Sequence, residues 1–254
     1  MFKSILVRAP LYPAARSAYR AVFKADQVAM ASRMRAFYGQ FFQPGDLVFD
    51  VGANQGEYAE CFAREGARVI AIEPNPAHRA RLEAMSKFLT ITPEYVAVSD
   101  EPGSATLNIC STSGYSTLAG SDSDWMADSP DYATVEWVGA TEVQTVPLDQ
   151  LAAKHGVPEF VKIDIEGFEL VALKGMTFKP RYISFEYGVR RKEIALDCLE
   201  LLGGRGYRFR PIDGRDFRFS APDWMDPASA IDWLKARTLS HGEYGDLFAY
   251  LWPQ

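Results

Sequence analysis

At 254 residues, with 48% hydrophobic and 24% charged residues, the chain has the balance of a globular protein and fits one large α/β domain or one domain with additions. Its net charge of −6 excludes non-specific nucleic-acid binding as a role for the whole molecule. Cys61, Cys110 and Cys198 are too widely spaced for a disulfide framework or a metal site, which fits buried thiols in a reducing compartment.

The first 45 residues are expected to form a helical extension packed on the main domain. Lys3, Arg8, Arg16, Arg20, Lys24, Arg33 and Arg35 stand there against one acid, Asp26. Residues 12–42 carry a rough apolar stripe at helical spacing: Tyr19, Val22, Phe23, Met30, Met34, Phe37 and Phe41. This basic arm could touch an anionic acceptor, a membrane surface met peripherally, or the acidic body itself. Met1 to Arg8 is too short and interrupted for a signal peptide, and no apolar run reaches membrane-spanning length. A cytoplasmic location is the expectation.

Pro44-Gly45 ends the helix, and the body, 46–254, opens on Leu47–Val51, an apolar strand that carries Asp50. Gly52-Ala53-Asn54-Gln55-Gly56 makes a tight loop into an amphipathic helix from Tyr58 to Glu65. Arg68–Ile72 is a second buried strand, ending at Glu73-Pro74, and Ala77 to Phe88 is helical. Tyr95–Val98 is expected as the third strand, ending at Ser99. The rhythm then breaks into a β-excursion at about 103–146, with a polar loop over 111–131. A short helix from Pro147 precedes a fourth strand, Phe160 onward, and a helix from Phe168 to Lys174. Tyr182–Tyr187 is the fifth strand, Arg191–Leu202 a helix, and Tyr207–Ile212 the sixth strand. Asp213-Gly214 reads as a hairpin turn into Phe217–Phe219. A helix near 228–236 and a last strand, Leu247–Trp252, complete the chain.

Three features carry chemistry. In the glycine loop, Asn54 takes the place of the second glycine of a dinucleotide fingerprint. Acids at both ends, Asp50 and Glu57, suit a ligand with an ammonium or sulfonium rather than a pyrophosphate. Glu73 closes the second strand, where an acid can accept both ribose hydroxyls. In Lys162-Ile163-Asp164-Ile165-Glu166-Gly167, strand alternation puts Lys162, Asp164 and Glu166 on one side, costly on a central strand unless paired or functional. Glu186 adds a carboxylate to the same rim. Asp164, Glu166 and Glu186 could act as general base, as acceptors from substrate hydroxyls or as hard-metal ligands, and the spacing leaves all three open.

The blocks Val48–Gly56, Ile72–Pro76 and Val161–Glu169, with Ser113–Leu118 and Glu142–Asp149, resemble the FkbM family of S-adenosylmethionine-dependent methyltransferases. The resemblance covers about residues 46–190. It implies a class I methyltransferase fold: a Rossmann-like, seven-stranded, mostly parallel sheet with helices on both faces and a last antiparallel strand. It implies S-adenosylmethionine held by Asp50, Gly52, Ala53, Asn54, Gly56 and Tyr58, with ribose on Glu73 and Pro74, adenine near Ala97, Val98 and Ser99, and Asp164 at the methionine end. It also implies O-methylation of a hydroxyl on a sugar, glycan, glycolipid or natural product. Asp164, Glu166 and Glu186 are then the catalytic candidates, and Tyr115, Ser116 and Thr117 the acceptor-binding ones. N-methylation of a small molecule, a non-catalytic binding protein of the same fold and a nicotinamide oxidoreductase are the alternatives; Asn54 speaks against the last. A divalent cation could sit on those three carboxylates but is not indicated by the sequence. A homodimer stands as a further expectation, and nucleic acid is not expected as a partner.

Overall fold

The computed structural model describes residues 28–111, 116–118, 136–189 and 191–253. Helix α1 covers residues 28–38. The earlier part of the expected N-terminal helix, with Lys3 to Lys24, lies outside the described residues. In chain order there follow β1 (Leu47–Val51), α2 (Glu57–Arg64), β2 (Arg68–Ile72), α3 (Arg79–Ser86) and β3 (Ile91–Glu94). Next come β4 (Ala97–Val98), β5 (Gly103–Cys110), β6 (Trp137–Val146), α4 (Leu148–His155), β7 (Phe160–Ile163) and α5 (Glu169–Lys174). The last are β8 (Tyr182–Gly188), α6 (Lys192–Gly204), β9 (Tyr207–Asp213), α7 (Pro227–Ala236) and β10 (Tyr244–Leu251).

Seven strands form one sheet in the order β3-β2-β1-β7-β8-β10-β9. The pairs from β3 to β8 are parallel, while β10 runs antiparallel to both its neighbours. This is the seven-stranded, mostly parallel sheet of the class I methyltransferase fold. Every residue of β1 and β7 is buried, because helices cover both faces. Val48, Phe160 and Phe248 face α1, α2 and α3. Phe49, Val161 and Phe185 face the side of α4 to α7. The β-excursion is a separate small sheet, β4-β6-β5.

Two expectations need correction. The third strand is Ile91–Glu94, not Tyr95–Val98. Ala97–Val98 leaves the main sheet and pairs with β6 instead. Pro93 sits in β3, an edge strand, where a missing N–H costs least. The Asp213-Gly214 turn does not open a ladder hairpin either. Only isolated bridges, Ile212 to Phe219 and Phe209 to Met225, follow it among the described residues, while β10 forms the ladder beside β9.

Helix α1 is bound to the sheet by aromatic rings. Met34, Phe37, Tyr38, Phe41 and Phe42 are all buried. Phe41 stacks on Phe248 at 4.8 Å and on Phe160 at 5.5 Å between ring centroids. Phe41→Ala is therefore expected to cost about 3–5 kcal/mol, read from urea unfolding. An unchanged midpoint would detach this segment from the core. Among the described residues no helix is long and apolar enough to cross a membrane.

Candidate active site

The loop after β1 turns on two glycines and an asparagine with left-handed backbone. Gly52 and Gly56 each have φ of 82°, and Asn54 has φ of 50°. A Cβ on Gly52 would run into the carbonyl oxygen of Asp164, so the loops after β1 and β7 touch only because that side chain is absent. Gly56 lets α2 start against Leu82 and Met85 of α3. The Glu73 carboxylate, at the end of β2, ties this loop down. It accepts the Asn54 N–H at 2.7 Å and the Asn75 N–H at 2.8 Å. Burial pushes its carboxyl up to about 7, against the pull of those two N–H groups.

The loop after β7 departs from simple strand alternation. The strand stops at Ile163, and Glu166 and Gly167 take φ of 51° and 98°. Buried Glu169 organises the turn, its Oε1 accepting the Ile165 N–H at 3.2 Å and the Gly167 N–H at 3.1 Å. Thr117 donates its hydroxyl to the Glu166 carbonyl at 2.9 Å. Lys162 is buried and donates to Asp164 Oδ2 at 2.8 Å.

Two recesses meet at these loops. The first, about 590 Å³, is lined by Gly52, Asn54, Glu73, Pro74 and Asp164 with apolar walls from Val96, Ala97, Val98 and Leu107. Asn75, His78, Ser116, Thr117, Leu118 and Glu166 also line it. The second, about 1070 Å³, runs along Gly52 to Gln55, then Glu57, Tyr58, Glu60 and Arg81. Gly52, Asn54, Asp164 and Glu166 belong to both walls. Whatever passes from one recess to the other passes these four residues.

The three candidate carboxylates come together, with oxygens of Asp164, Glu166 and Glu186 all within 4.8 Å of one another. Arg191 stands between them. Its Nη2 donates to Glu166 at 3.1 Å and also to Glu186. That guanidinium supplies the positive charge a cation would otherwise bring. Burial, then the neighbouring Glu166, pushes the Glu186 carboxyl well above its usual range.

Several expected residues stand elsewhere. Asp50 lines neither recess: it is buried beneath the loop beside Lys162, and burial pushes it up to about 7. Gly56 and Ser99 also line neither recess. Ala53 and Tyr58 line the second. Ser116 and Thr117 lie in the wall of the first recess, where Asn75 Nδ2 approaches the Ser116 hydroxyl at 3.4 Å. Tyr115 lies outside the described residues. Arg191, Glu169, Asn75 and His78 were not picked from the sequence as site residues. Glu169 had a signal, as the last residue of the Val161–Glu169 block. Arg191 had none, since only the fold brings it to Glu166.

The chain matches the family model for the methyltransferase FkbM domain over residues 50–209. Hexuronic acid methyltransferase AglP of Haloferax volcanii is 29% identical over 196 residues, which cover 72% of this chain and 75% of that protein. A TehB-like SAM-dependent methyltransferase from Corynebacterium glutamicum overlays with a TM-score of 0.43 at 10% identity, covering 94% of this chain and 100% of that one. M. jannaschii TYW2 in complex with AdoMet overlays with a TM-score of 0.40 at 12% identity, covering 88% and 74%.

Proposed function

This chain belongs to the FkbM methyltransferase family and uses S-adenosylmethionine, and from that membership we propose that it methylates a hydroxyl oxygen of a sugar. The observation that carries the reading is the junction, where one apolar recess and one polar recess share Gly52, Asn54, Asp164 and Glu166. The residues suit the cofactor. A cradle that a Cβ at Gly52 would fill stands beside a carboxylate, Asp164, and next to an apolar slot. Each Glu73 oxygen holds one backbone N–H and keeps lone pairs for the ribose hydroxyls. Val96, Ala97, Val98 and Leu107 would hold the adenine, and Asp164 would supply negative charge to the methionine end.

S-adenosylmethionine, when bound, supplies an activated methyl group on a cationic sulfur. The protein's part is alignment and proton removal. The second recess holds the acceptor so that one hydroxyl reaches the shared wall. Glu166, on that wall, takes the hydroxyl proton at its carboxylate. Arg191 orients Glu166 and ties it to Glu186 behind it. The uronate in the name of the Haloferax relative makes a sugar acid the first acceptor to try.

The test is transfer of labelled methyl from S-adenosylmethionine into a cell extract, with the labelled product identified. A methyl ether on a glycan supports the reading; label on nitrogen, protein or nucleic acid overturns it. Glu166→Gln is expected to lower kcat by about 10²–10⁴-fold, the usual share of a general base. S-adenosylhomocysteine affinity should stay within about threefold of the parent, because Gln keeps the size of Glu166 where it lines the first recess and the adenosine contacts proposed for Glu73 and the apolar walls are unchanged.

A further inference from the structure

The site's charged residues continue below the junction into a buried polar row. Lys162 is 1% exposed, and its ammonium has three protons to place. One goes to Asp164, and the charge lies over the Tyr58 ring at 4.1 Å from its centroid. Asp50 is its register neighbour on β1. Asp246, on β10, acts on it electrostatically, while the ion pair goes to Asp164. Through β8, Lys162 pairs with Ser184 and Asp246 with Glu186, so all these side chains share the sheet face that α1 covers. Tyr38, the last residue of α1, is fully buried and donates its hydroxyl to Asp246 Oδ2 at 3.3 Å. Its ring meets Tyr58 edge-on at 5.5 Å.

We infer that Tyr38 and Asp246 are positioning residues for the methyl-transfer site. Tyr38 holds Asp246, Asp246 competes with Asp164 for the Lys162 ammonium, and that competition sets how much of the Asp164 charge faces the cationic sulfur. Both residues lie outside the matched region, 50–209. The N-terminal helix and the last strand thus take part in tuning the site, besides closing the core. The electrostatics agree in sign: the Lys162 charge is what most favours the ionised form of Asp246, against its burial. Lys162 and Asp246 act on each other through space, and such coupling is strong where water is excluded.

The inference rests on the reading that Asp164 stands beside the sulfur, and its test separates the two. S-adenosylmethionine carries a charge at sulfur that S-adenosylhomocysteine lacks, so the ratio of their dissociation constants reports the Asp164 charge. Calorimetry on the full chain gives both constants without an acceptor. Asp164→Asn is expected to cut the preference for the cationic ligand by about tenfold. Asp246→Asn frees Lys162 to neutralise Asp164, cutting the preference by about threefold, and Asp246→Glu restores it. Tyr38→Phe has the opposite sign. Asp246 then draws harder on Lys162, and the preference rises about twofold. Opposite signs do not arise from loose folding, which weakens both ligands together. If Asp164→Asn moves the ratio and neither Tyr38→Phe nor Asp246→Asn does, the positioning role is overturned while the site reading stands. If Asp164→Asn leaves the ratio unchanged, the placement of Asp164 fails and takes the inference with it.

Discussion

Gly52→Ala is expected to weaken S-adenosylmethionine binding about a hundredfold or more in a protein that still reaches its fold with reduced stability. Two penalties act together. An alanine at φ of 82° is strained, and its Cβ collides with the Asp164 carbonyl, a backbone atom with no side-chain freedom to move away. Strain and overlap together cost about 3 kcal/mol or more. Relief comes only by separating the loops after β1 and β7, which opens the wall shared by the two recesses. Binding then weakens about a hundredfold or more, because each 1.4 kcal/mol of lost contact is about tenfold. Gly45→Ala is the matched control. It has φ of 93° but nothing within 4 Å of a new Cβ, so it carries strain without collision. Calorimetry and urea unfolding on both variants separate the effects. Equal loss of binding in the two would remove the loop contact from the account.

Glu73→Ala is the second large effect, and it carries a pH signature. The substitution strips the acceptor from the Asn54 and Asn75 N–H groups and from the ribose. Each unpaired buried group costs about 1–3 kcal/mol, enough to take cofactor binding out of the measurable range. In the parent protein without ligand, Glu73 and Asp50 both titrate near 7, raised by burial. A carboxyl raised in the folded state binds more protons there than in the unfolded chain. Its stabilising effect is therefore full below the ordinary carboxylate range and is lost as pH rises through about 7. The unliganded protein should lose stability between about pH 4.5 and 7.5 from these two groups. Ribose hydroxyls and a cationic sulfur favour the ionised carboxylates, so binding should release about one proton near pH 7 and tighten from pH 6 to 8. Titration in buffers of different ionisation enthalpy reads the proton directly. Proton uptake on binding would reverse the assignment.

The central strands were legible because their residues are constrained on both faces. Leu47–Val51, apolar but for Asp50, and Val69–Ile72 show the pattern of a parallel sheet buried under helices. The edge was not legible. Ile91-Thr92-Pro93-Glu94 holds a proline and a charge, and Tyr95–Val98 looks the better strand by composition. Only the pairing of β4 with β6 shows that those residues serve the smaller sheet. Glu73, Asp164 and Glu166 could be read because strand ends in this fold point to the ligand crevice. The reading that put Lys162, Asp164 and Glu166 in one alternating row failed past Ile163. Glu166 turns left-handed there, and the turn is held by Glu169 and Thr117. Arg191 and Asp246 were out of reach, because their partners are joined to them by tertiary packing and by no local spacing. Ser116 and Thr117, expected at the acceptor, line the first recess, brought there by the bridge of Thr117 to Asn108 in β5.

Strand β10 occupies an interior place in the sheet, between β8 and β9, although it comes after both in the chain. While a nascent chain still lacks residues 244–251, the edge strand β9 lacks β10, its one neighbour in this sheet. The half-sheet from β3 to β8 can pair without that segment, but β9 waits. Closure is then an insertion: the late segment docks against two strands at once, through the paired residues from Gly245 to Tyr250 on both sides. Such a step leaves the open edges of β8 and β9 exposed to self-association until the last strand arrives. Ribosome-arrested chains ending just before residue 244 should therefore be degraded or aggregate, and eight more residues emerging from the tunnel should be enough to protect them.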